Sequence, residues 1–283
     1  METTIYADNI VKSFGNKTVL NGISFQVSRG SIFGLLGPSG AGKTTLIKIL
    51  TGQLSQDGGT AAINGTDTRK LTGGDHKKLG IMMDNFGIYE RLNCYENLRI
   101  FAEIYGIKKN GILNALKQTG LADAERTTAS KLSKGMRSRL RLARVFMTNP
   151  DIMFLDEPTS GLDPSTANEM HKIILSETEK GKTVFLTTHT MSEAEKLCND
   201  IIMINDGKIA EQGNPKEICR RYDRLRMLKI HLTDGTDIQL PHSESAADSV
   251  AELLRSGRAQ TIHTTEPNLE TVFTELTGKE LAV

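Results

Sequence analysis

An α/β fold built on a parallel sheet is predicted from three apolar runs, each of which ends at polar residues. The first, Ile32–Leu36, leads into GPSGAGKTT (residues 37–45), the second lies in DIMFLDEP (residues 151–158), and the third, TVFLTTH, ends at His189. Buried parallel strands read as unbroken apolar runs, and ligands bind at their carboxyl ends. The polar residues that follow these runs are therefore the candidate functional residues.

The segment GPSGAGKTT predicts a phosphate-binding loop followed by a helix over Lys43–Leu50. Its glycines let successive backbone N–H groups turn toward an anion, while Lys43 adds a positive charge and Thr44 offers a hydroxyl ligand for Mg²⁺. The positive end of the helix dipole points at the same anion. The complete motif, placed after a strand, predicts binding of a nucleoside triphosphate rather than a glycine-rich turn without a ligand.

Length and composition limit what surrounds this loop. The 283 residues suggest one large or two modest domains, and the formal net charge of +1 gives no reason to expect nucleic acid as a partner. The three cysteines, Cys94, Cys198 and Cys219, have no metal or redox spacing, as expected of reduced thiols in a cytoplasm. No signal sequence and no apolar run long enough for a membrane helix are visible, so the chain is not expected to span a membrane by itself.

Two acids, Asp156 and Glu157, end the second apolar run. Asp156 is placed to hold Mg²⁺ directly or through water, and Glu157 to orient and deprotonate an attacking water. Taken alone, the pair could instead cap the next helix. Its combination with the phosphate-binding loop favours the catalytic interpretation.

Residues 132–146, LSKGMRSRLRLARVF, predict an amphipathic helix with Ser133 as its N-cap. By itself this segment is typical of a basic surface helix. The order GPSGAGKTT, LSKGM, DIMFLDEP, SGLD and TVFLTTH, however, resembles the nucleotide-binding subunits of ABC transporters, over about residues 3–215. The resemblance implies a P-loop NTPase fold, with a RecA-like core, an antiparallel β subdomain and a helical subdomain.

The resemblance also implies ATP and Mg²⁺ as cofactors and a role for each motif. The nucleotide-binding residues would be Phe14, Gly37, Ser39, Gly40, Ala41, Gly42, Lys43, Thr44 and Thr45. Glu157, His189 and Lys43 would be catalytic, and Thr44, Asp156 and Asp84 would hold the metal. Ser133, Lys134, Gly135 and Met136 would be the signature that contacts the γ-phosphate held by a second copy of the chain, and Ser160 and Asp163 the D-loop at the same interface.

Two of these assignments have plain structural alternatives. Phe14 matches the position where the family stacks an aromatic ring on adenine, but it could be a core residue of the first sheet. A lone histidine after a strand, such as His189, is more often structural, and its assignment as a γ-phosphate ligand depends on the neighbouring motifs.

The chain departs from the family pattern at two positions. Where the family has its Q-loop glutamine, the sequence aligns Asp84, with Asn85 next to it, and a shift of one residue is open. A shorter, charged side chain there predicts slower hydrolysis or a different Mg²⁺ dependence. At the end of the signature, Met136 stands where many family members have glutamine. Substitutions of this kind make the chain similar to the subfamily of drug, antibiotic and lantibiotic exporters.

The predicted domains are an ATP-binding domain over residues 1–218, with a helical subdomain at about 85–148, and a small α+β domain over residues 219–283. In the first, Tyr95, Leu98, Phe101, Ala102 and Tyr105 recur at helical spacing. In the second, the sequence predicts a hairpin around Asp234 and Gly235, a helix at 245–254, a strand at 259–264 and a last helix at 268–276.

The resemblance implies an ATPase that energises a membrane exporter. ATP would close a head-to-tail homodimer, the closure would push on separate membrane-spanning permease subunits, and hydrolysis would reset it. The chain would then sit in the cytoplasm, attached peripherally to the cell membrane through its permease. A soluble non-transport ABC-type ATPase, for example in Fe–S cluster assembly, is the alternative that the sequence leaves open.

Overall fold

In the part of the chain that the structure describes, the strands form three sheets, and helices pack against them. The computed structural model describes residues 2–83, 87–222, 227–241, 243–264 and 267–278. The strands are β1 (Thr3–Phe14), β2 (Lys17–Ser28), β3 (Ile32–Leu36), β4 (Gly58–Ile63), β5 (Thr66–Asp67), β6 (Leu79–Met82), β7 (Ile152–Asp156), β8 (Thr183–Thr188), β9 (Asp200–Asn205), β10 (Lys208–Gly213), β11 (Met227–Leu232), β12 (Asp237–Pro241) and β13 (Ala259–Thr264). The helices are α1 (Lys43–Leu50), α2 (Gly73–His76), α3 (Cys94–Tyr105), α4 (Lys109–Gln118), α5 (Lys134–Met147), α6 (Pro164–Glu179), α7 (Met191–Leu197), α8 (Pro215–Tyr222), α9 (Ala247–Arg255) and α10 (Leu269–Thr277).

The central sheet has six strands in the order β10-β9-β3-β8-β7-β6. β9, β3, β8, β7 and β6 are parallel, and β10 joins the edge as the antiparallel partner of β9. Every residue of β3, β7 and β8 is buried, as their unbroken apolar runs predicted. The register pairs Leu36 with Thr188 and Asp156 with Thr187, so the carboxyl ends of these three strands lie side by side.

An antiparallel sheet of order β2-β1-β4-β5 packs against one side of the central sheet and forms the antiparallel β subdomain that the resemblance implied. Phe25 of β2 stacks on Phe33 of β3 at 5.2 Å between ring centroids, and Phe33 lies 5.6 Å from Phe185 of β8. The β4–β5 turn is Asn64-Gly65, with φ of 47° and 79°. Both residues are in the left-handed region, as a tight hairpin turn requires.

The opposite side of the central sheet carries a second apolar cluster that includes α3, α4 and α5. These helices lie inside the predicted helical subdomain. On α3, Leu98 and Ala102 are buried and Tyr95 and Phe101 pack beside them, which confirms the predicted face. Tyr105 is exposed instead, because α3 ends there and Gly106 turns the chain away in a left-handed conformation.

The C-terminal region forms a three-stranded antiparallel sheet of order β12-β11-β13, and its strands, hairpin and helices confirm the predicted elements. The last helix, α10, packs against α7 and α8. Leu269, Val272 and Phe273 are buried in the same apolar cluster as α5 and the central sheet. The division at residues 218 and 219 stays a prediction, and α8 crosses that position.

None of the described helices is both long enough and apolar enough to cross a lipid bilayer.

Candidate nucleotide site

The predicted phosphate-binding loop lies between β3 and α1. A Cβ atom on Gly37 would lie 2.5 Å from the carbonyl oxygen of Ile204, and one on Gly42 would lie 2.7 Å from Cδ2 of Leu20. Only glycine fits these close approaches. Gly40 differs, because its Cβ would project into open space, where the loop backbone is accessible to a ligand. The loop therefore leaves room for an anion at its tip.

Lys43 is held under this loop. Its side chain is only 7% exposed, and Nζ lies 3.5 Å from Oε1 of Glu157. The same Nζ donates hydrogen bonds to the carbonyl oxygens of Gly37, at 2.7 Å, and Pro38, at 3.3 Å. A buried ammonium group needs such acceptors. It places a positive charge where the loop would receive phosphates.

Thr44 and Asp156 meet at the start of α1. Oγ1 of Thr44 donates to Oδ2 of Asp156 at 3.0 Å, and Oγ1 of Thr187 donates to Oδ1 of Asp156 at 2.5 Å. Thr187 reaches this carboxylate because it is paired with Asp156 across β7 and β8. A hydroxyl and a carboxylate oxygen are hard donors of the kind that Mg²⁺ prefers, so this pair fits the predicted metal site.

Glu157 stands in a strained backbone conformation, with φ of 47°. A non-glycine residue in this region costs free energy and is typical of active sites. Hydrogen bonds hold the backbone in this conformation: the Glu157 amide donates to both Oγ1 and the carbonyl oxygen of Thr187, each at 3.1 Å. The carboxylate Oε2 lies 3.2 Å from Nδ1 of His189. Glu157 is thus aimed at His189 and Lys43.

The alternative interpretation of the two acids as helix caps is wrong. The N-cap of α6 is Asp163, which accepts hydrogen bonds from the amide of Thr166 at 3.0 Å and from its hydroxyl at 2.6 Å. The hydroxyl of Thr166, followed by its amide, lowers the pKa of the Asp163 carboxyl. Asp156 and Glu157 remain available for a ligand at the strand end.

A cleft of about 420 Å³ opens above the loop. It is lined by Phe14, Val19, Ser39, Gly40, Gly42, Lys43, Thr44, Thr45 and Glu157. Ala41 is buried behind the lining. Phe14 is 51% exposed, so its interpretation as a core residue is wrong. A cleft lined by both an aromatic ring and a phosphate-binding type of loop suits a nucleotide, whose base stacks and whose phosphates are charged.

The predicted signature and D-loop lie together at the starts of α5 and α6. Ser133 is the N-cap of α5, as predicted, and its Oγ accepts from the amide of Met136 at 3.2 Å. A Cβ on Gly135 would lie 2.5 Å from Cγ2 of Thr166, and one on Gly161 would collide with Nζ of Lys134. The glycines at these positions allow the two loops to pack closely. Ser160, in the same loop, is exposed, and its amide donates to the carbonyl oxygen of Glu157 at 3.2 Å.

One predicted site residue lies outside the part of the chain that the structure describes, and two residues at the site were not predicted from the sequence. Asp84 lies outside the described residues, so its assignment as a metal ligand stays a prediction. Val19 was missed because an apolar residue in a strand does not stand out. Thr187 was also missed, although a threonine at the end of an apolar strand, two residues before His189, is a signal that could have been used.

Fold and site together define a P-loop nucleoside triphosphatase. The family model described as ABC transporter matches residues 20–160. The fluoroquinolones export ATP-binding protein of Mycobacterium tuberculosis is 38% identical over 93% of this chain and 88% of its own length. The linearmycin resistance ATP-binding protein of Bacillus subtilis is 32% identical over 98% of this chain and 99% of its own length. The chain therefore belongs to the ABC transporter family, as an ATP-binding subunit.

The solved structures agree with this assignment. A bacterial Atm1-family ABC exporter with ATP bound superposes with a TM-score of 0.70 at 26% identity, over 78% of this chain and 40% of that one. The family and the fold class that the motif order predicted are confirmed.

Proposed function

We propose that this chain binds ATP with Mg²⁺ and hydrolyses it to energise a membrane exporter. The observation that carries the proposal is the meeting of Lys43, Asp156, Glu157 and His189 at the carboxyl edge of one parallel sheet. The names of the relatives, which state export of fluoroquinolones and resistance to linearmycin, support the direction of transport. They do not support the alternative of a non-transport ATPase.

Each residue has a chemical role that its surroundings suit. Lys43 would exchange its carbonyl partners in the loop for phosphate oxygens, and Phe14 would stack on the base. Thr44 and Asp156 would hold Mg²⁺, which supplies neutralisation of phosphate charge. Glu157 would orient the attacking water and accept its proton, while His189 donates a hydrogen bond to the γ-phosphate.

The proposed active form is a head-to-tail homodimer. Ser133, Lys134, Gly135 and Met136 are not among the described residues that line the cleft. The N-terminus of α5 nevertheless offers backbone donors and a positive dipole end suited to phosphate. Both are satisfied if the signature of one subunit covers ATP held by the other, with Ser160 and Asp163 at the same interface.

The proposed partner is a membrane-spanning permease that holds the chain at the cytoplasmic face of the membrane. The face between the central sheet and the helical region carries a cavity of about 160 Å³, lined in part by Phe101, Tyr105 and Val145. Ile104 and Tyr89 are exposed large apolar residues. Such apolar surface suits a short amphipathic helix from the permease.

Affinity purification from the organism's own membranes tests this proposal. The chain is tagged, the membranes are solubilised gently, and copurifying proteins are identified and quantified by mass spectrometry. A polytopic membrane protein at near-equal amount is the expected result. Recovery of the chain with cytosolic proteins alone would overturn the exporter role and leave the ATPase role untouched.

A further inference from the structure

A buried carboxylate on α7 joins elements on both sides of the proposed catalytic residues. Glu193 is 3% exposed. Its Oε1 accepts hydrogen bonds from Oγ1 of Thr159, at 2.5 Å, and from Nε2 of His171, at 2.9 Å. The side chain of Thr188 also lowers the pKa of the Glu193 carboxyl. None of these residues lines the nucleotide cleft as described.

The donors come from the segments that the chemistry must align. Thr159 follows Glu157 by two residues and precedes the D-loop residue Ser160. Thr188 immediately precedes His189. His171 belongs to α6, the helix that the D-loop enters. One carboxylate therefore ties the loop after β7, the end of β8 and α6 to one another.

The negative charge of Glu193 strengthens the hydrogen bonds that it accepts. Burial raises the pKa of the Glu193 carboxyl, but the hydrogen bonds from His171, Thr159 and Thr188 outweigh burial and leave the pKa lowered. The carboxylate is thus ionised at neutral pH, and hydrogen bonds to an ionised acceptor are shorter and stronger than neutral ones. A buried charge that lost these donors would be costly, which keeps the segments in place.

Helix α5, which begins at the predicted signature, also contacts the loop that follows β7. Oγ of Ser138, on α5, donates to the carbonyl oxygen of Pro158 at 2.8 Å, in a buried contact. Pro158 lies between Glu157 and Thr159. The loop that carries Glu157 is therefore held from α5 on one side and from α7 on the other.

We propose that Glu193 is a positioning residue that aligns Glu157, His189 and the D-loop for hydrolysis. The inference rests on the proposed function of Glu157 and His189. The 3.2 Å approach of these two side chains depends on the loop after β7 and the end of β8 keeping their relative positions. A displacement of about 1 Å in such an arrangement can lower a rate by roughly 10²-fold.

Steady-state ATPase kinetics of the full chain test this role in Glu193→Gln and Glu193→Ala. We expect kcat to fall by about 10- to 100-fold, the usual scale for partners that orient reactive groups. KM for ATP is expected to stay within about twofold, because these residues do not line the cleft. The glutamine keeps the size of the side chain but replaces one acceptor oxygen by an NH₂ donor.

Glu177→Gln is the matched control. Glu177 is another buried acid, on α6, whose side chain bonds Lys180 rather than the loops around the site. A general loss of stability would affect this variant too, whereas the positioning role predicts unchanged kcat. Equal losses of kcat in Glu177→Gln and Glu193→Gln, or an unchanged kcat in Glu193→Gln, would overturn the inference.

Thr159→Val keeps the test decisive if Glu193→Ala does not fold. It removes one hydrogen bond to Glu193, and its loss of kcat should not add to that of Glu193→Gln in the double variant. Additive losses would mean that the two residues act separately. Glu157→Gln, assayed in parallel, distinguishes failure of the proposed catalytic role from failure of the positioning role. If this variant hydrolyses ATP normally, Glu157 is not the base, whatever the Glu193 variants do.

Discussion

The carboxyl edge of the central sheet and the C-terminal region contrast in where they keep their polar groups. At the sheet edge Lys43, Asp156 and Thr187 are buried and hydrogen-bonded to one another or to the loop. In the part of residues 227–278 that the structure describes, the buried side chains are apolar. Here Lys229 forms an ion pair with Asp237 and the His231 ring a hydrogen bond with it, and these side chains are 43% to 50% exposed.

This contrast indicates that the sheet edge holds the proposed reactive groups, whereas the C-terminal region contributes packing. Buried polar groups are costly and persist where a function needs them, whereas exposed ion pairs contribute little to stability. The C-terminal region therefore acts on the rest of the chain through apolar packing of α10. The amide of Leu269, at the start of α10, also donates to Oε1 of Glu195 on α7 at 2.7 Å. The region is joined to the helix that follows His189.

The largest expected effect is on stability, from Phe273→Ala. Phe273 is 1% exposed, and removal of such a side chain lowers the free energy of unfolding by about 3–5 kcal/mol. Urea unfolding measures the loss, and ATP affinity of the folded protein should not change. Leu254→Ala is the control, because Leu254 lies in the same region but is 57% exposed, and we expect a change within about 0.5 kcal/mol. Similar losses in both variants would contradict the packing of α10 described above.

Glu157→Gln should affect turnover alone. We expect ATP hydrolysis to fall by at least about 10²-fold, because the amide cannot accept a proton from water, while ATP binding is retained. Phosphate release and equilibrium binding of ATP measure the two quantities. Lys43→Ala is the counterpart that should lose binding. Hydrolysis at a near-normal rate in Glu157→Gln would show that the general base is another residue.

Phe14→Ala should weaken ATP binding moderately. Loss of one aromatic–base stack costs about 1–3 kcal/mol, or roughly 5- to 150-fold in affinity. Calorimetric titration with ATP measures the change, and Phe14→Tyr, which keeps the ring, should bind almost as well as the original chain. If alanine and tyrosine bind equally well, Phe14 does not stack on the base.

The smallest expected effect is the dependence of stability on pH through Glu193. Its folded-state pKa is lowered, so its contribution to stability is complete above the ordinary glutamate pKa of about 4.3 and is lost as the pH falls through the folded-state value. The difference in unfolding free energy between the original chain and Glu193→Gln should therefore shrink below about pH 4.3. Urea unfolding over a pH series measures it, and a difference that grew on acidification would refute the lowered pKa.

The sequence predicted those parts of the fold that local pattern determines. Strands β3, β7 and β8 were visible as apolar runs, α1 followed from the loop motif, and the C-terminal hairpin followed from its turn residues. Ser133 was found as an N-cap because capping depends on neighbouring residues only.

Contacts between distant segments could not be predicted. The hydrogen bond from Thr159 to Glu193 spans 34 positions and that from His171 spans 22, and nothing in either local sequence marks the partner. The return of α10 to α7 and α8 is of the same kind, because its apolar face predicts burial but not against which surface. The order of motifs predicted the site because a parallel sheet brings strand ends together.

The left-handed backbone at Glu157 has a consequence for how this position is maintained. That conformation costs about 1–3 kcal/mol, a sizeable fraction of the roughly 5–15 kcal/mol that stabilises a folded domain. Glycine adopts the same conformation without the steric cost. A glycine at position 157 would relieve this steric cost, but it would remove the proposed base together with its contacts to Lys43 and His189. The backbone strain at this position is thus tied to the presence of the carboxylate that pairs with Lys43 and His189.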